Sequence, residues 1–144
     1  MTIRQATDGD APVLAAIMGD WFESTVYLPR IHTPEQDLRF TEHLIKTQDV
    51  LVSGTDTPTG FIARAGDEIC QLYLASEARG QGQGRALLDA MKQRTDQLAL
   101  WCFQQNTDAR RFYEHNGFTA VDMTDGQNND EKVPDVRYVW ERLS

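Results

Sequence analysis

The stretch Gln71-Leu72-Tyr73-Leu74-Ala75-Ser76-Glu77-Ala78-Arg79-Gly80-Gln81-Gly82-Gln83-Gly84-Arg85-Ala86-Leu87-Leu88 decides the architecture of this 144-residue chain. Its opening residues form an apolar run that reads as a buried strand. Its closing residues, continued by Asp89-Ala90-Met91-Lys92, have good helix propensity. Between them stand three glycines at alternate positions, Gly80, Gly82 and Gly84. Glycine lets the backbone approach a ligand with no side chain in the way, and a helix start leaves N–H groups without acceptors. Strand, glycine turn and helix start together predict an anion cradle suited to a phosphate. The alternative is a glycine-bearing surface turn between two core elements.

Two phosphate signatures fail on spacing. In G-x-G-x-x-G the last place falls on Arg85 when counted from Gly80, and on Leu87 when counted from Gly82. In G-x-x-x-x-G-K-[ST] the second glycine again falls on Arg85. The segment does match as Arg79-x-x-Gly82-x-Gly84, which resembles the [RQ]-x-x-G-x-[GA] signature of the GNAT superfamily of N-acetyltransferases. A second stretch, Asn106-x-x-Ala109-x-x-Phe112-Tyr113-x-x-x-Gly117-Phe118, resembles the N-x-x-A-x-x-[FL]-Y-x-x-x-G-[FW] pattern of the same family.

Taken in order, the chain begins with a strand candidate at Ile3 to Ala6. The Asp and Pro of Thr7-Asp8-Gly9-Asp10-Ala11-Pro12 sit as at a helix start, and that helix runs to about Trp21. Thr33-Pro34-Glu35-Gln36 is a capping box opening a second helix, and an unusually aromatic linker, Trp21 to His32, lies between the two. Val50 to Ser53 and Phe61 to Arg64 flank a long hairpin loop, and a turn at Gly66-Asp67 leads into the strand Glu68 to Leu74. A helix from Gly84 to about Gln97 and a strand from Leu98 to Phe103 imply a right-handed parallel crossover. Asn106, Thr107 or Asp108 caps a short helix that Gly117 ends. Strands at Phe118 to Met123 and Val136 to about Leu143 close the chain around an acidic linker, 124–134, expected to be mobile. This βααβββαβαββ order also resembles the GNAT layout, so the likeness covers essentially the whole chain, with its specific residues confined to 68–118. It implies one domain over 1–144 of α/β (α+β) class. Its centre would be a mixed, mostly antiparallel sheet of about seven strands, including a splayed parallel pair, with about four helices.

Composition agrees with a single globular domain: 40% hydrophobic and 25% charged residues. No apolar run reaches bilayer length and the first residues lack a signal-peptide core, so a cytoplasmic protein with no membrane partner is expected. Cys70 and Cys102 fall in predicted strands and read as buried reduced thiols. Neither they nor His32, His43 and His115 show metal-binding spacing, so no metal is expected. The net charge of −8 argues against a nucleic-acid partner. From Arg79 to Arg111 six basic residues face three acidic ones, a net +3, which leaves −11 on the remainder. That imbalance suggests an anionic ligand at the basic island and weakly favours a cationic partner elsewhere. Ordinary solvated helix faces would read the same way.

The resemblance implies acetyl-CoA as the acyl donor, used in a ternary complex in which a primary amine of a small molecule or peptide attacks directly. Its diphosphate would be held by backbone amides of Arg79, Gly80, Gln81, Gly82, Gln83, Gly84 and Arg85. Its pantetheine arm would pair with Leu72, Tyr73 and Leu74, one of whose N–H groups would face the oxyanion. Asn106 would contact the coenzyme, and Tyr113 would lie near its sulfur as general acid. A phenol of pKa about 10 can protonate a thiolate whose acid is near 8.5, though such a thiolate already leaves well. Phe112-Tyr113 also reads as a core aromatic pair.

Glu68, eleven residues before Arg79, stands where some family members carry a general base. Period-two alternation places it on one strand face with Cys70, Leu72 and Leu74. It reads equally as the polar end of a hairpin. A carboxylate, of ordinary pKa about 4.3, would take the amine's proton through water or after its own pKa rises on burial. For the acceptor, the resemblance points to Trp21, Phe22 and Tyr27, which alternatively pack in the core. A homodimer is compatible with this reading. Two other functions remain open, a non-catalytic acyl-CoA-binding sensor or subunit and the transfer of another acyl group.

Overall fold

The computed structural model describes residues 2–28 and 32–142. Pro29, Arg30 and Ile31 of the aromatic linker, and Leu143 at the expected end of the last strand, lie outside the described residues.

Seven strands and four α-helices follow the expected order: β1 (Ile3–Gln5), α1 (Ala11–Ser24), α2 (Pro34–Thr47), β2 (Asp49–Ser53), β3 (Gly60–Ala65), β4 (Glu68–Leu74), α3 (Gln83–Lys92), β5 (Gln97–Phe103), α4 (Thr107–His115), β6 (Thr119–Thr124) and β7 (Asp135–Glu141). Short 3-10 turns precede α1 and α3. The strands form one sheet in the order β1-β2-β3-β4-β5-β7-β6. All neighbours are antiparallel except β4 and β5, which run parallel and share a single register pair, Glu68 with Ala99. Beyond that pair the two strands splay apart.

Each face of the sheet carries its own core. On one face Leu87, Leu88 and Met91 of α3 and Tyr113 of α4 pack on Ile62, Ile69, Leu98, Leu100 and Tyr138. On the other, Leu14, Ile17 and Met18 of α1 and Leu44 of α2 cover Val50, Val52, Phe61 and Ala63. Burying each such side chain contributes about 1.5–3 kcal/mol. The alternation Val50–Val52 against Leu51 sends neighbouring residues to opposite cores, as a strand's period of two requires.

Local signals fix most element ends. Thr33 accepts from Gln36 N while Gln36 accepts from Thr33 N, the expected capping box at α2. Of the three candidates, Asn106 caps α4, its Oδ1 accepting from Ala109 N at 3.2 Å. Two ends differ from expectation. α1 continues one turn past Trp21, with Thr25 and Ser24 hydroxyls donating to Trp21 O, so Trp21 and Phe22 ride on the helix. α3 stops at Lys92, well short of Gln97. Its last core residue is Met91, and Arg142 from the end of the chain donates to the carbonyls of Lys92 and Thr95 that a longer helix would have used. The 124–134 linker, expected mobile, is folded on itself: Asn129 donates to Val133 O at 2.6 Å and accepts from Val133 N. The Gly126 φ of +88° brings its backbone against Val133.

Candidate active site

β4 is where sequence periodicity and structure part. Pairing with β3 shifts between Ala63 and Arg64, so that Ala63 faces Gln71 while Arg64 faces Ile69, and Cys70 is the extra residue of a bulge. Ile69, Leu72 and Leu74 therefore share one core, and Tyr73 joins the other. The expected common face of Glu68, Cys70, Leu72 and Leu74 is not formed. Cys70, expected buried, is exposed for the same reason, whereas Cys102 is buried and its thiol is pushed up to about 12 by desolvation. Neither is in a disulfide.

The bulge also sets which amides face β5. Ala75 N donates to Thr59 O at 2.8 Å, so alternation turns the amides of Tyr73 and Gln71 toward β3 and those of Leu72 and Leu74 toward the splay. Because β5 pairs with β4 only at its start, Leu72 and Leu74 present main-chain groups to an open wedge. Tyr73, expected to pair through its backbone, contributes its ring instead.

The wedge is a cavity of about 120 Å³ between Ile69–Tyr73 and Leu100–Phe103, closed by Trp21, Asn106, Ala109 and Tyr113. Tyr113 is buried against Phe112, Phe118 and Tyr138, and no hydrogen bond links its hydroxyl to another described residue. Burial raises its pKa well above that of a free phenol, so it holds its proton throughout the physiological range. Burial likewise raises Tyr73, with Glu131 and Asp37 adding to the rise.

A groove of about 510 Å³ continues from the wedge past Leu74 to Arg79, Gly80 and Gly84, sharing Leu72, Asn106 and Tyr113 with it. At its far end Gly80 (φ +76°) and Gly82 (φ +82°) take left-handed conformations that favour glycine, and Gly82 is the N-cap of α3 with no side chain bonded to it. The first internal helix bond runs from Ala86 N to Gly82 O, which leaves the preceding amides for a ligand. Gly84 has a different task, since a Cβ there would lie 3.3 Å from the Phe112 ring. Gln83 Oε1 accepts from Ser53 and Thr59 and ties the helix start to the β2–β3 hairpin, while Arg79 and Arg85 are exposed. Gln81 donates to Glu77 O within the turn. Uncapped amides, a left-handed glycine turn and an unpaired strand edge in one groove fit a diphosphate joined to an amide-bearing arm.

On the opposite side the wedge shares Cys70, Gln71, Tyr73, Trp101 and Phe103 with a second pocket of about 310 Å³. Its lining also includes His32, Asp37, Asp130 and Glu131, with Phe22 and Phe40. Of the three expected acceptor residues, only Phe22 lines this pocket. Trp21 closes the wedge instead, stacked on Phe103, and Tyr27 lines neither space, its ring lying edge-on to Phe103 at 6.3 Å. Sequence reading missed Trp101, Phe103, Asp130 and Glu131 as pocket residues. Only the acidity of 124–134 hinted at the last two.

Glu68 lines neither space. Both its oxygens accept from Arg137, at 2.7 Å each, and this bond raises the guanidinium's pKa further. The carboxylate for which a general-base role was expected is thus turned to β7 and engaged there. Among the described residues no group of three or more His, Cys, Asp or Glu could hold a metal ion, and no helix is long and apolar enough to cross a membrane.

Comparison with known proteins agrees with this geometry. A family model described as an acetyltransferase (GNAT) domain matches residues 44–120, more than half of the chain. The peptidyl-lysine N-acetyltransferase YiaC of Escherichia coli K12 is 29% identical over 126 residues, 83% of this chain and 84% of that protein. Another protein of that description, YjaB of Salmonella typhimurium, is 26% identical over 91 residues, and the chain spans 63% of its length. Among solved structures, apo YjaB from Escherichia coli superposes with a TM-score of 0.80 at 19% identity, covering 99% of this chain and 98% of that one. YncA from Salmonella typhimurium, solved with its cofactor acetyl-CoA, gives 0.75 at 20% identity, covering 100% and 95%. At such identities the superpositions speak for the fold alone. The family match, which takes in the glycine turn, the splayed strands and the segment from Asn106 to Phe118 that contains α4, makes this chain a member of the GNAT acetyltransferases.

Proposed function

We propose that this protein transfers an acetyl group from acetyl-CoA to a primary amine, which attacks the thioester directly while both substrates are bound. One observation carries the reading: the wedge opens on one side to the glycine cradle and on the other to an acidic, aromatic pocket, so a thioester in the wedge would be reached from the pocket. The coenzyme supplies an activated acetyl thioester, and the chain's own residues do the rest. Amides of residues 80–85, led by the left-handed Gly80 and Gly82, hold the diphosphate, whereas the Arg79 amide already donates to Ser76 O. Leu72 and Leu74 hold the arm, and one of their N–H groups donates to the carbonyl oxygen as negative charge gathers there. The amine nitrogen bonds to the carbonyl carbon as the carbon–sulfur bond breaks. Tyr113 gives its proton to the departing sulfur, and the proton that the attacking nitrogen sheds on becoming an amide returns through solvent to the Tyr113 oxygen.

The acceptor is a cationic amine, a lysine side chain of a peptide or a small molecule of similar charge. The acidic side chains of Asp130 and Glu131 in the pocket lining support this, since they would favour an ammonium group there. The names of the relatives agree with it. The amine must lose its proton before attack, and it does so to solvent. Calorimetric titration with acetyl-CoA and with longer thioesters, followed by thiol release across a panel of amines, tests the whole reading. Binding without release would mark a non-catalytic sensor, preference for a longer thioester another acyl group, and acetylation of neutral and anionic amines in place of polycations an acceptor of different charge.

A further inference from the structure

Acetyl transfer leaves the Glu68 carboxylate without a task, and its surroundings supply one. Glu68 sits at the single register pair that joins β4 to β5, opposite Ala99. Arg137 lies on β7 opposite Trp101 of β5. Its guanidinium reaches across to both Glu68 oxygens at 2.7 Å while its carbon stands 5.2 Å from the centre of the Trp101 ring. β4 and β7 are thus tied through a fork-on-fork ion pair, with the intervening strand held by its indole. Asp67 ties the same corner: its carbonyl accepts from Ala99 N at 2.8 Å, and its carboxylate accepts from Thr95 and Gln97. The bonds that join the two parallel strands gather at this vertex, and past it the wedge begins. Trp101 is also a wall shared by the wedge and the acidic pocket.

We propose that the Glu68–Arg137 pair, with Trp101 packed on it, is a positioning device that fixes the opening of the β4–β5 wedge and the wall between its donor and acceptor sides. Glu68 and Arg137 are positioning residues and touch neither substrate. The inference rests on the reading that the wedge receives the coenzyme arm. Side chains about a quarter (Arg137) and a third (Glu68) exposed add little to global stability, so the effect of the pair lies in local geometry. Residues acting as one unit also show it in a double-mutant cycle, because removing the second partner costs nothing once the first is gone.

Three variants test this: Glu68→Gln, Arg137→Met and the double substitution. Amide hydrogen exchange of the free protein is followed at 69–73 and 100–103, with calorimetric acetyl-CoA affinity and turnover against pH measured alongside. The expected result is faster exchange in those two segments, with β2 and β3 unchanged. Affinity should weaken about fivefold to twentyfold in each single variant and no further in the double one, the mark of a coupled pair. The pH profile should keep its shape. Unchanged exchange or additive losses would overturn the proposal. So would a pH limb that disappears in Glu68→Gln and survives in Arg137→Met, which would make Glu68 a base after all. If the unsubstituted protein ignores acetyl-CoA, the reading of the wedge fails separately, and the exchange data still decide whether the pair holds it open.

Discussion

Replacing Tyr113 by phenylalanine removes one oxygen from the lining of the wedge and leaves the ring that packs against Phe118 and Tyr138. The hydroxyl has no hydrogen-bond partner among the described residues, so its loss should change folding stability by less than about 1 kcal/mol. Catalysis should respond differently. Proton transfer by a positioned acid accelerates a step by about 10²–10⁴-fold, and the lower end applies here because a thiolate whose acid has a pKa near 8.5 leaves fairly well unaided. A loss of about tenfold to hundredfold in kcat follows, equivalent to about 1.4–2.7 kcal/mol of barrier. The KM for acetyl-CoA should hardly move, because the proposed grip on the diphosphate and arm lies elsewhere. Burial holds the phenol's pKa above its ordinary value, so the deficit should be the same across pH 6–9. Thiol release at saturating acetyl-CoA, with thermal unfolding in parallel, measures both effects. Equal turnover in variant and parent at equal stability would remove Tyr113 from the chemistry.

Three further outcomes are expected. Gly82→Ala forces a Cβ residue to φ +82°, where open space around the Cβ position makes the cost conformational, about 1–2 kcal/mol; calorimetry should show acetyl-CoA binding weakened about tenfold, and unaltered affinity would count against the cradle. Glu131→Lys reverses a charge on the pocket wall and should raise the KM for a cationic amine about twofold to tenfold, less at high salt, with acetyl-CoA affinity unchanged. The Arg4 guanidinium, bonded to both Asp10 oxygens, holds that carboxyl below the usual range despite its burial, with Thr7 N assisting. A depressed carboxyl stabilises the fold above its unfolded pKa of about 3.9 and loses that contribution as pH falls through the folded value. Asp10→Asn should therefore unfold several degrees lower at pH 7 and close much of that gap at pH 3, while a gap independent of pH would contradict the linkage.

What could be read in the sequence was whatever short-range chemistry determines. The α2 capping box, the glycine turn before α3 and a cap for α4 among residues 106–108 each depend on a few consecutive residues, and each stands where its motif placed it, with Asn106 the capping residue. The common face expected for Glu68, Cys70, Leu72 and Leu74 did not form because strand alternation assumes an uninterrupted ladder. One extra residue at Cys70 reverses the faces, and the partner that claims the carboxylate lies far along the chain on β7. α3 ran short for a similar reason, since Arg142 satisfies its last carbonyl from the end of the chain. The acidic, aromatic pocket was the least legible part. Its walls come from α1, α2, β4, β5 and the 124–134 loop, and nothing in the local pattern around Trp101 or Glu131 announces that they meet.

Amide chemical shifts recorded while acetyl-CoA is titrated into the isotope-labelled protein test the central claim most directly. The account predicts saturable changes concentrated at Leu72, Leu74, the amides of 80–85 and Asn106. Changes centred elsewhere on the sheet, or a spectrum unmoved at millimolar coenzyme, would contradict it.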